Sequence, residues 1–491
     1  MLYFLSLFAC CNALNFSNVF GDHMVLQSDT SAILFGFDTP GSNISCTFQG
    51  STVMTQTGPD NIWRLALLPQ PPTIARDGFV ITVSSSVSES ASLSDVLFGS
   101  VFFMAGQSNA QFSLSGAFNG TAEIAAANYP RIRLFTVGQG TSSATPRVAL
   151  GTIEQPWAVS SPESVSNGND FGWFSAVGYL FARDVHVARS VPIGMISNNW
   201  GGTCLEKWCP SSVSAACGED NEVPELFNAM YEPYLVGPMA VTGFLWSQGE
   251  CNADNNSTDF YACAFPLFIQ SWRDAFKIPD AFFGFQVLPP YINDSGKFNP
   301  YSLPFERDAQ LTGLSLENVV ASNAVDLGDP LAPHGSVHPR NKTTVAARFA
   351  AAARAIIWGE AVPYLNPRFA SASALPTVGT QMTVYINFEP ETVIGGLTLA
   401  LSAICPFAVP LSECGWLEVQ TKDDGVWRNA TSVALSADGA GLILTLNVPS
   451  NAVANATRGM FTPWPVVQVY SADGQRPVLP WPPTQIVPLA R

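Results

Sequence analysis

The chain has 491 residues, and its 22 basic and 38 acidic side chains give a formal net charge of −16. Nucleic acids and anionic membranes both attract basic surfaces, so this charge disfavours both as partners. A chain of this length is too long for one hydrophobic core and predicts several domains. Its content of 47% hydrophobic and only 12% charged residues is typical of a folded protein.

The first residues predict a signal peptide. Residues 1–13 form an apolar stretch ending in small residues, although basic residues are missing at its start, and a buried first strand is the alternative interpretation. Removal of this segment with Cys10 and Cys11 leaves an even set of eight cysteines. Nine N-glycosylation sequons point the same way: Asn15, Asn43, Asn119, Asn255, Asn256, Asn293, Asn341, Asn429 and Asn455. We therefore expect a secreted or lysosomal protein without a membrane anchor.

Three regions follow along the chain. Residues 14–95 alternate short β-type runs with turns, which predicts a β-sandwich module. Residues 96–362 alternate apolar runs with helical patterns, which predicts an α/β domain with a mainly parallel sheet. Residues 363–491 return to a β pattern and predict a C-terminal all-β domain. Within the α/β region we expect strands at Val101–Ala105, Ile193–Ile196, Val241–Trp246, Phe282–Leu288 and Val319–Val325, and helices at Ala176–Arg189 and Thr343–Gly359.

Polar, often glycine-containing segments follow four of the predicted strands. They are Gly106–Asn109, Asn198–Thr203, Ser247–Glu250 and Asp326–Asp329. In open α/β sheets, ligands bind at the carboxyl ends of the strands, where such segments converge. The pattern therefore predicts a catalytic site along this edge.

Ser108 is the candidate nucleophile, because it lies between a buried strand and a possible helix, where its N–H could stabilise an oxyanion. An ordinary N-cap serine is the alternative. The chain has four histidines, and only His334 and His338 lie in a loop that reaches the same edge. His338 is the better general base since Pro339 fixes the turn after it, whereas His334 is a surface residue or a substrate contact.

These segments resemble the SGNH hydrolases, and more specifically the sialate O-acetylesterases. The similar blocks, in the order of the family, are Asp22–Gln27, Gly36–Gly41, Gly106–Asn109, Trp200–Thr203, Trp246–Asn252, Asp326–Asp329 and Gly335–Lys342. The resemblance spans nearly the whole chain. It implies a flavodoxin-like SGNH-hydrolase domain flanked by N- and C-terminal all-β domains.

The resemblance also implies roles for individual residues. Ser108 would be the nucleophile and His338 the base, with no metal and no organic cofactor. The oxyanion hole would consist of the N–H groups of Ser108 and Gly202 and the side chain of Gln248. Asn109, Asn252 and His334 would be substrate contacts.

The sequence departs from the family pattern at the orienting acid. Many SGNH enzymes have Asp three residues before the histidine, where this chain has Gly335. We expect the imidazole to be oriented either by one of the carboxylates of Asp326, Asp329 and Glu250 or by a backbone carbonyl, as in a Ser–His dyad.

The other departures are Cys204 and Cys251, where the family commonly has Pro and Ser. They suggest that Cys251 pairs with Cys204 or Cys209. Pairing of Cys251 with Cys263 is the alternative.

The expected function is a serine esterase that removes O-acetyl groups from sialic acids, either on a glycan or as the free sugar. One alternative is an acetyl esterase for polysaccharides such as acetylated xylan. Another is a catalytically silent, secreted glycan-binding protein.

Overall fold

The computed structural model describes residues 14–74, 77–140, 142–293, 296, 298–400 and 403–489. The predicted signal peptide, with Cys10 and Cys11, lies outside these residues. Among the described helices, none is long and apolar enough to cross a membrane. The described part of the chain also contains no group of His, Cys, Asp and Glu side chains arranged to hold a metal ion.

The N-terminal region consists of short strands, as predicted. They are β1 (Asn15–Phe16), β2 (Val25–Gln27), β3 (Ala32–Phe37), β4 (Asn43–Phe48), β5 (Ser51–Gln56), β6 (Ile62–Leu67), β7 (Phe79–Ser85) and β8 (Ala91–Gly106). Strand β3 pairs with β1 and β6, while β4 pairs with β5 and β7. Strand β8 pairs antiparallel with β7 at its start and then continues into the central sheet. The predicted boundary between residues 95 and 96 therefore falls inside one strand.

The central region alternates strands and helices. Its elements are α1 (Ser108–Gln111), α2 (Gly120–Ala125), β9 (Tyr129–Val137), β10 (Ile153–Ser160), α3 (Pro162–Val165), α4 (Ala176–Arg189), β11 (Ile193–Asn199), α5 (Ser211–Ala216), α6 (Glu232–Leu235), β12 (Gly243–Ser247), α7 (Glu250–Asp254), α8 (Thr258–Phe276), β13 (Phe282–Val287), α9 (Leu303–Leu311), β14 (Val319–Asn323) and α10 (Lys342–Trp358). The strand order is β10-β9-β11-β8-β12-β13-β14. All neighbours in this series are parallel except β10 and β9. The sheet as a whole is mixed, since β8 also joins it to β7, β4 and β5.

Burial on both faces explains why the central strands are continuous apolar runs. In β8, Phe103 packs into the core on one face of the sheet, and Phe102 and Met104 pack into a separate core on the other. Helix α4 lies on the second face, and Gly178 lets it approach Met104 closely, because a Cβ there would lie 3.1 Å from the Met104 Cβ. The helix begins where the Ser175 side chain accepts a hydrogen bond from Gly178 N.

The C-terminal region is again built from strands. They are β15 (Phe369–Ala374), β16 (Gln381–Phe388), β17 (Leu397–Leu399), β18 (Cys414–Gly415), β19 (Leu417–Thr421), β20 (Trp427–Asn429), β21 (Ser432–Leu435), β22 (Gly441–Asn447), β23 (Ala454–Gly459), β24 (Trp464–Pro465), β25 (Val469–Ser471), β26 (Trp481–Gln485) and β27 (Val487–Pro488). Arg307 of α9 ties this region to the central one. Its fully buried guanidinium donates to the carbonyls of Leu288, Thr462 and Pro463.

Three disulfides link the described cysteines: Cys204–Cys251, Cys217–Cys263 and Cys405–Cys414. The predicted pairing of Cys251 with Cys204 is confirmed, and the alternative with Cys263 is wrong, because Cys263 is bonded to Cys217. Cys46 and Cys209 are buried thiols whose pKa values are raised by burial.

Candidate active site

The fold brings Ser108 and His338 together although 230 residues separate them. Ser108 is the first residue of α1, directly after β8. His338 lies in the loop between β14 and α10, where its N–H donates to Gly335 O at 2.9 Å. The His338 Nε2 is 2.9 Å from the Ser108 Oγ. Both residues therefore lie at the carboxyl edge of the parallel strands, where the sequence places them.

A backbone carbonyl orients the imidazole. His338 Nδ1 lies 2.8 Å from the carbonyl oxygen of His334. A carbonyl can only accept, so we assign the proton to Nδ1, which leaves Nε2 to accept the hydrogen bond donated by the Ser108 hydroxyl. The Phe171 ring packs edge-to-face against the imidazole at a centroid distance of 5.0 Å. The histidine is thus held in the tautomer that a general base requires.

The structure brings none of the three candidate acids to the imidazole. Asp326 forms a bidentate ion pair with Arg348, at 2.8 and 2.7 Å. Asp329 pairs in the same way with Arg340. The third carboxylate, Glu250, accepts a hydrogen bond from the Asn109 side chain. Each of these three carboxylates is engaged by another partner, and the group that the structure places at Nδ1 is the His334 carbonyl.

Ser108 and Gly202 both line a cleft of about 390 Å³ together with His338. Within the described part of the chain, neither backbone N–H has a hydrogen-bond acceptor. Gly202 has a φ of 75°, a conformation that favours glycine, and space is open where a Cβ would lie. Two unpaired donors beside a serine hydroxyl are the arrangement that stabilises an oxyanion in acyl transfer.

Gln248 does not join these two donors at the cleft. Its side chain is fully buried, and its Nε2 contacts the Gln107 Oε1, the Thr203 carbonyl oxygen and the Asn252 Oδ1 at 2.8 to 3.2 Å. These acceptors already engage the amide, and a third oxyanion donor at Gln248 stays a prediction. Gln248 instead links the segments behind the cleft.

The three predicted substrate contacts are not among the described residues that line the cleft. Asn109 and Asn252 are completely buried, and the Asn252 Oδ1 accepts hydrogen bonds from Leu205 N and Gln248 Nε2. His334 is partly exposed, and its Nε2 lies 2.7 Å from the Asp170 carboxylate. Its backbone carbonyl contacts the His338 Nδ1, and a substrate contact by its ring stays a prediction.

Lys342 is a buried amine at the end of the block Gly335–Lys342, and the sequence predicts no role for it. Its Nζ donates to the Asn109 Oδ1 at 2.6 Å and lies 4.5 Å from the centre of the Phe112 ring. Desolvation lowers the pKa of Lys342 to about 7, against the opposing attraction of Glu250. Burial in turn raises the pKa of Glu250. The Asn109 amide thus connects a buried cation and a buried carboxyl directly behind Ser108.

Six further described residues line the cleft. They are Gln107, Cys251, Asp254, Asn255, Phe298 and Val337. Burial raises the pKa of Asp254, which accepts hydrogen bonds from the Tyr291 hydroxyl and from Asn299 N. Gln107 belongs to the predicted segment Gly106–Asn109, and Cys251 and Val337 belong to the blocks Trp246–Asn252 and Gly335–Lys342, whereas Asp254, Asn255 and Phe298 were not predicted as part of the site.

Most of the sequon asparagines are exposed. Two are partly buried and engaged: Asn341 caps α10 by accepting from Thr344 N, and Asn455 donates to the Gln420 side chain. Glycosylation itself stays a prediction.

Comparison with known proteins identifies similar chains. A family model described as carbohydrate esterase, sialic acid-specific acetylesterase, matches residues 99–354. The mouse protein named sialate O-acetylesterase is 31% identical over 405 residues, which cover 70% of this chain and 74% of the mouse protein. The human protein of that name is 31% identical over 379 residues, covering 70% and 71%.

A solved structure extends the similarity in fold. The crystal structure of a carbohydrate acetylesterase from Xanthomonas citri superimposes with a TM-score of 0.80. The match covers 95% of this chain and 98% of that one at 24% sequence identity. This similarity shows a shared fold over all three regions described above.

Proposed function

Because the chain belongs to the carbohydrate esterase family of sialic acid-specific acetylesterases, we propose that it hydrolyses O-acetyl esters of carbohydrates through an acetyl-serine on Ser108. Membership makes the protein a carboxylic-ester hydrolase. The observation that carries the mechanism is the 2.9 Å contact between the Ser108 Oγ and the His338 Nε2. This contact provides a nucleophile with a base in hydrogen-bond reach.

In the first step, the Ser108 Oγ attacks the acetyl carbonyl while its proton passes to His338 Nε2. The negative charge that develops on the carbonyl oxygen is stabilised by the N–H groups of Ser108 and Gly202. Loss of one such donor typically costs about 3 kcal/mol of transition-state stabilisation. The C–O bond to the sugar then breaks, and the imidazolium returns the proton to the sugar oxygen.

In the second step, water attacks the acetyl-serine and gives its proton to Nε2. Collapse of the intermediate releases acetate and returns the proton to the Ser108 oxygen. No step requires His338 Nδ1 to lose its proton, so the His334 carbonyl is sufficient to hold the ring in position.

The substrate we propose is an O-acetylated sialic acid, since the curated relatives at 31% identity are named for that activity. One observation favours an acetylated neutral polysaccharide, such as xylan, as a second candidate. The acidic groups on the described lining of the cleft are the carboxyl groups of Glu250 and Asp254, and the described lining contains no Lys or Arg. A carboxylate-bearing sugar gains no attraction from these two groups. A catalytically silent binding protein is disfavoured because such a protein has no need for the Ser–His contact.

We also propose that the protein matures in the secretory pathway. Disulfides persist in oxidising compartments and are rare in the cytosol. The cross-links Cys204–Cys251, Cys217–Cys263 and Cys405–Cys414 support this proposal.

Acetate release from p-nitrophenyl acetate tests the mechanism. We expect Ser108→Ala and His338→Ala to lower kcat at least about 1000-fold without loss of folding. His186→Ala is the matched control, because the His186 Nδ1 also contacts a backbone carbonyl, that of Val191 at 2.7 Å. An intact protein that releases no acetate, or a Ser108→Ala variant that retains activity, contradicts the proposal. Initial rates on 9-O-acetylated sialic acid and acetylated xylan under identical conditions then decide the substrate.

A further inference from the structure

The Cys204–Cys251 disulfide forms part of the wall of the cleft. Cys251 lines the cleft itself, and Cys204 lies two residues after Gly202, which also lines it. The bond joins the turn after β11 to helix α7, with the two Cα atoms 5.0 Å apart. It therefore connects the turn that contains Gly202 to helix α7, and residues of both segments line the cleft.

The rest of the Gly202 turn is held by separate contacts on its two sides. Upstream, Gly201 N donates to the Gln111 Oε1 at 3.0 Å. Downstream, the Thr203 carbonyl accepts from the Gln248 Nε2 at 3.2 Å. Gly202 itself has no atom within 4 Å of the position of a Cβ, and one hydrogen bond, from the Thr203 Oγ1 to the Trp200 carbonyl at 2.7 Å, spans the apex of the turn. The disulfide is the covalent restraint closest to this apex.

The sulfur atoms are also in contact with Asn255. Its Nδ2 lies 3.3 Å from the Cys204 Sγ and 3.5 Å from the Cys251 Sγ. Asn255 lines the cleft as well. The disulfide is thus integrated into the cleft wall rather than placed on a distant surface.

We propose that the Cys204–Cys251 disulfide is a positioning element of the oxyanion hole: it fixes the Gly202 N–H at the spacing from the Ser108 N–H that the reaction requires. This inference rests on the proposed function. It assigns the disulfide a role in the rate of the acyl-transfer step, beyond any contribution to folding.

The chain contains a matched control. The Cys217–Cys263 disulfide spans 46 residues and the Cys204–Cys251 disulfide spans 47, so chain-entropy effects on the unfolded state are nearly the same. Cys217 and Cys263 do not line the cleft. Comparison of the two bonds separates a general loss of stability from an effect on the site.

The experiment measures kcat, KM and Tm for the double variants Cys204→Ser/Cys251→Ser and Cys217→Ser/Cys263→Ser, with p-nitrophenyl acetate well below either Tm. Both should lose similar thermal stability. We expect kcat of the first to fall about 10- to 100-fold with KM within about 2-fold of the intact protein, because a misplaced oxyanion donor weakens only the transition state. The second should retain kcat within about 2-fold.

A third variant, Cys204→Pro/Cys251→Ser, tests the positioning role without the bond. Cys204 has a φ of −86°, near the range of proline, and its N–H donates to no described acceptor. A proline should therefore stiffen the turn and restore part of the lost kcat. It also provides a second measurement if the serine variant does not fold.

Equal kcat values for the two serine variants overturn the positioning role, as does a Cys204→Ser/Cys251→Ser variant as fast as the intact protein. These results leave the proposed function intact, since the intact protein is then active. Absence of acetate release by the intact protein overturns the proposed function and this inference together.

Discussion

Substitution of Asn109 by alanine separates a structural role from substrate contact. The Asn109 amide donates to the Glu250 Oε1 at 2.5 Å and to the Val337 carbonyl at 2.9 Å, and its oxygen accepts from the Lys342 Nζ at 2.6 Å. All three partners lose a hydrogen bond in a site that excludes water. Two of these bonds involve ionisable groups, at about 1.5–3 kcal/mol each, and the third contributes about 1 kcal/mol. The free energy of unfolding should therefore fall by about 5 kcal/mol.

Asn323→Ala is the control for this effect. Asn323 is equally buried, but its hydrogen bonds are to neutral backbone groups: the carbonyls of Pro477 and Val478 and the N–H of Val325. Three neutral bonds predict a loss of about 3 kcal/mol. Thermal unfolding should show the difference in Tm, since each kcal/mol shifts Tm by about 2–4 °C in a domain of this size.

Activity gives the second readout for Asn109→Ala. Val337 precedes His338, so loss of its hydrogen bond should disturb the base and lower kcat of the folded fraction, with KM little changed. A substrate contact would instead raise KM and leave Tm unchanged. That second outcome, or a loss of stability below about 1 kcal/mol, refutes the reasoning from burial.

Three further outcomes are expected. Burial lowers the pKa of Lys342 to about 7 from its ordinary value near 10.5, so between these pH values the folded protein binds fewer protons than the unfolded chain. The free energy of unfolding of the intact protein, measured with urea, should therefore rise by about 3 kcal/mol relative to that of Lys342→Met between pH 6 and pH 9. A difference between the two proteins that stays constant with pH would contradict this sign. Gly202→Ala should lower the free energy of unfolding by about 1–2 kcal/mol, because Gly202 has a φ of 75°, and it should also lower kcat. The control is Gly379→Ala, at a φ of 61° outside the cleft, which should lose stability in thermal unfolding without a change in kcat. Arg307→Met leaves three carbonyls without their donor and should lower the free energy of unfolding by about 3 kcal/mol, and a Tm equal to that of the intact protein would refute the role of this link.

The elements that the sequence predicts best are those with an unambiguous burial pattern. Helix α4 has the predicted bounds, and each of the five strands expected in the α/β region is present within a few residues. These strands are buried on both faces, so an apolar run bounded by polar residues identifies them. The exception is β8, where the predicted strand is only the last part of a 16-residue strand. Its first half has one exposed face, and polar residues such as Ser94 and Asp95 conceal its continuation.

The sequence placed Ser108, His338 and Gly202 at one edge because topology alone decides where the ends of parallel strands meet. It did not determine which way each side chain at that edge points. Gln248 and Asn109 follow the same strands but turn away from the cleft, each into acceptors and donors supplied by distant segments. A polar residue after a strand can contact the substrate or stabilise the fold, and only its contacts in the structure distinguish these two roles.

The orientation of His338 shows a second limit of prediction from the sequence. A backbone carbonyl is present at every position, so the sequence carries no signal for the one that contacts Nδ1. The glycine at position 335 nevertheless indicates a tight turn before His338. Gly335 has a φ of 86°, and its carbonyl accepts a hydrogen bond from His338 N. Glycine adopts this left-handed conformation at little cost because it has no Cβ. Gly335 therefore belongs to the tight turn that carries the His334 carbonyl to within 2.8 Å of the His338 Nδ1.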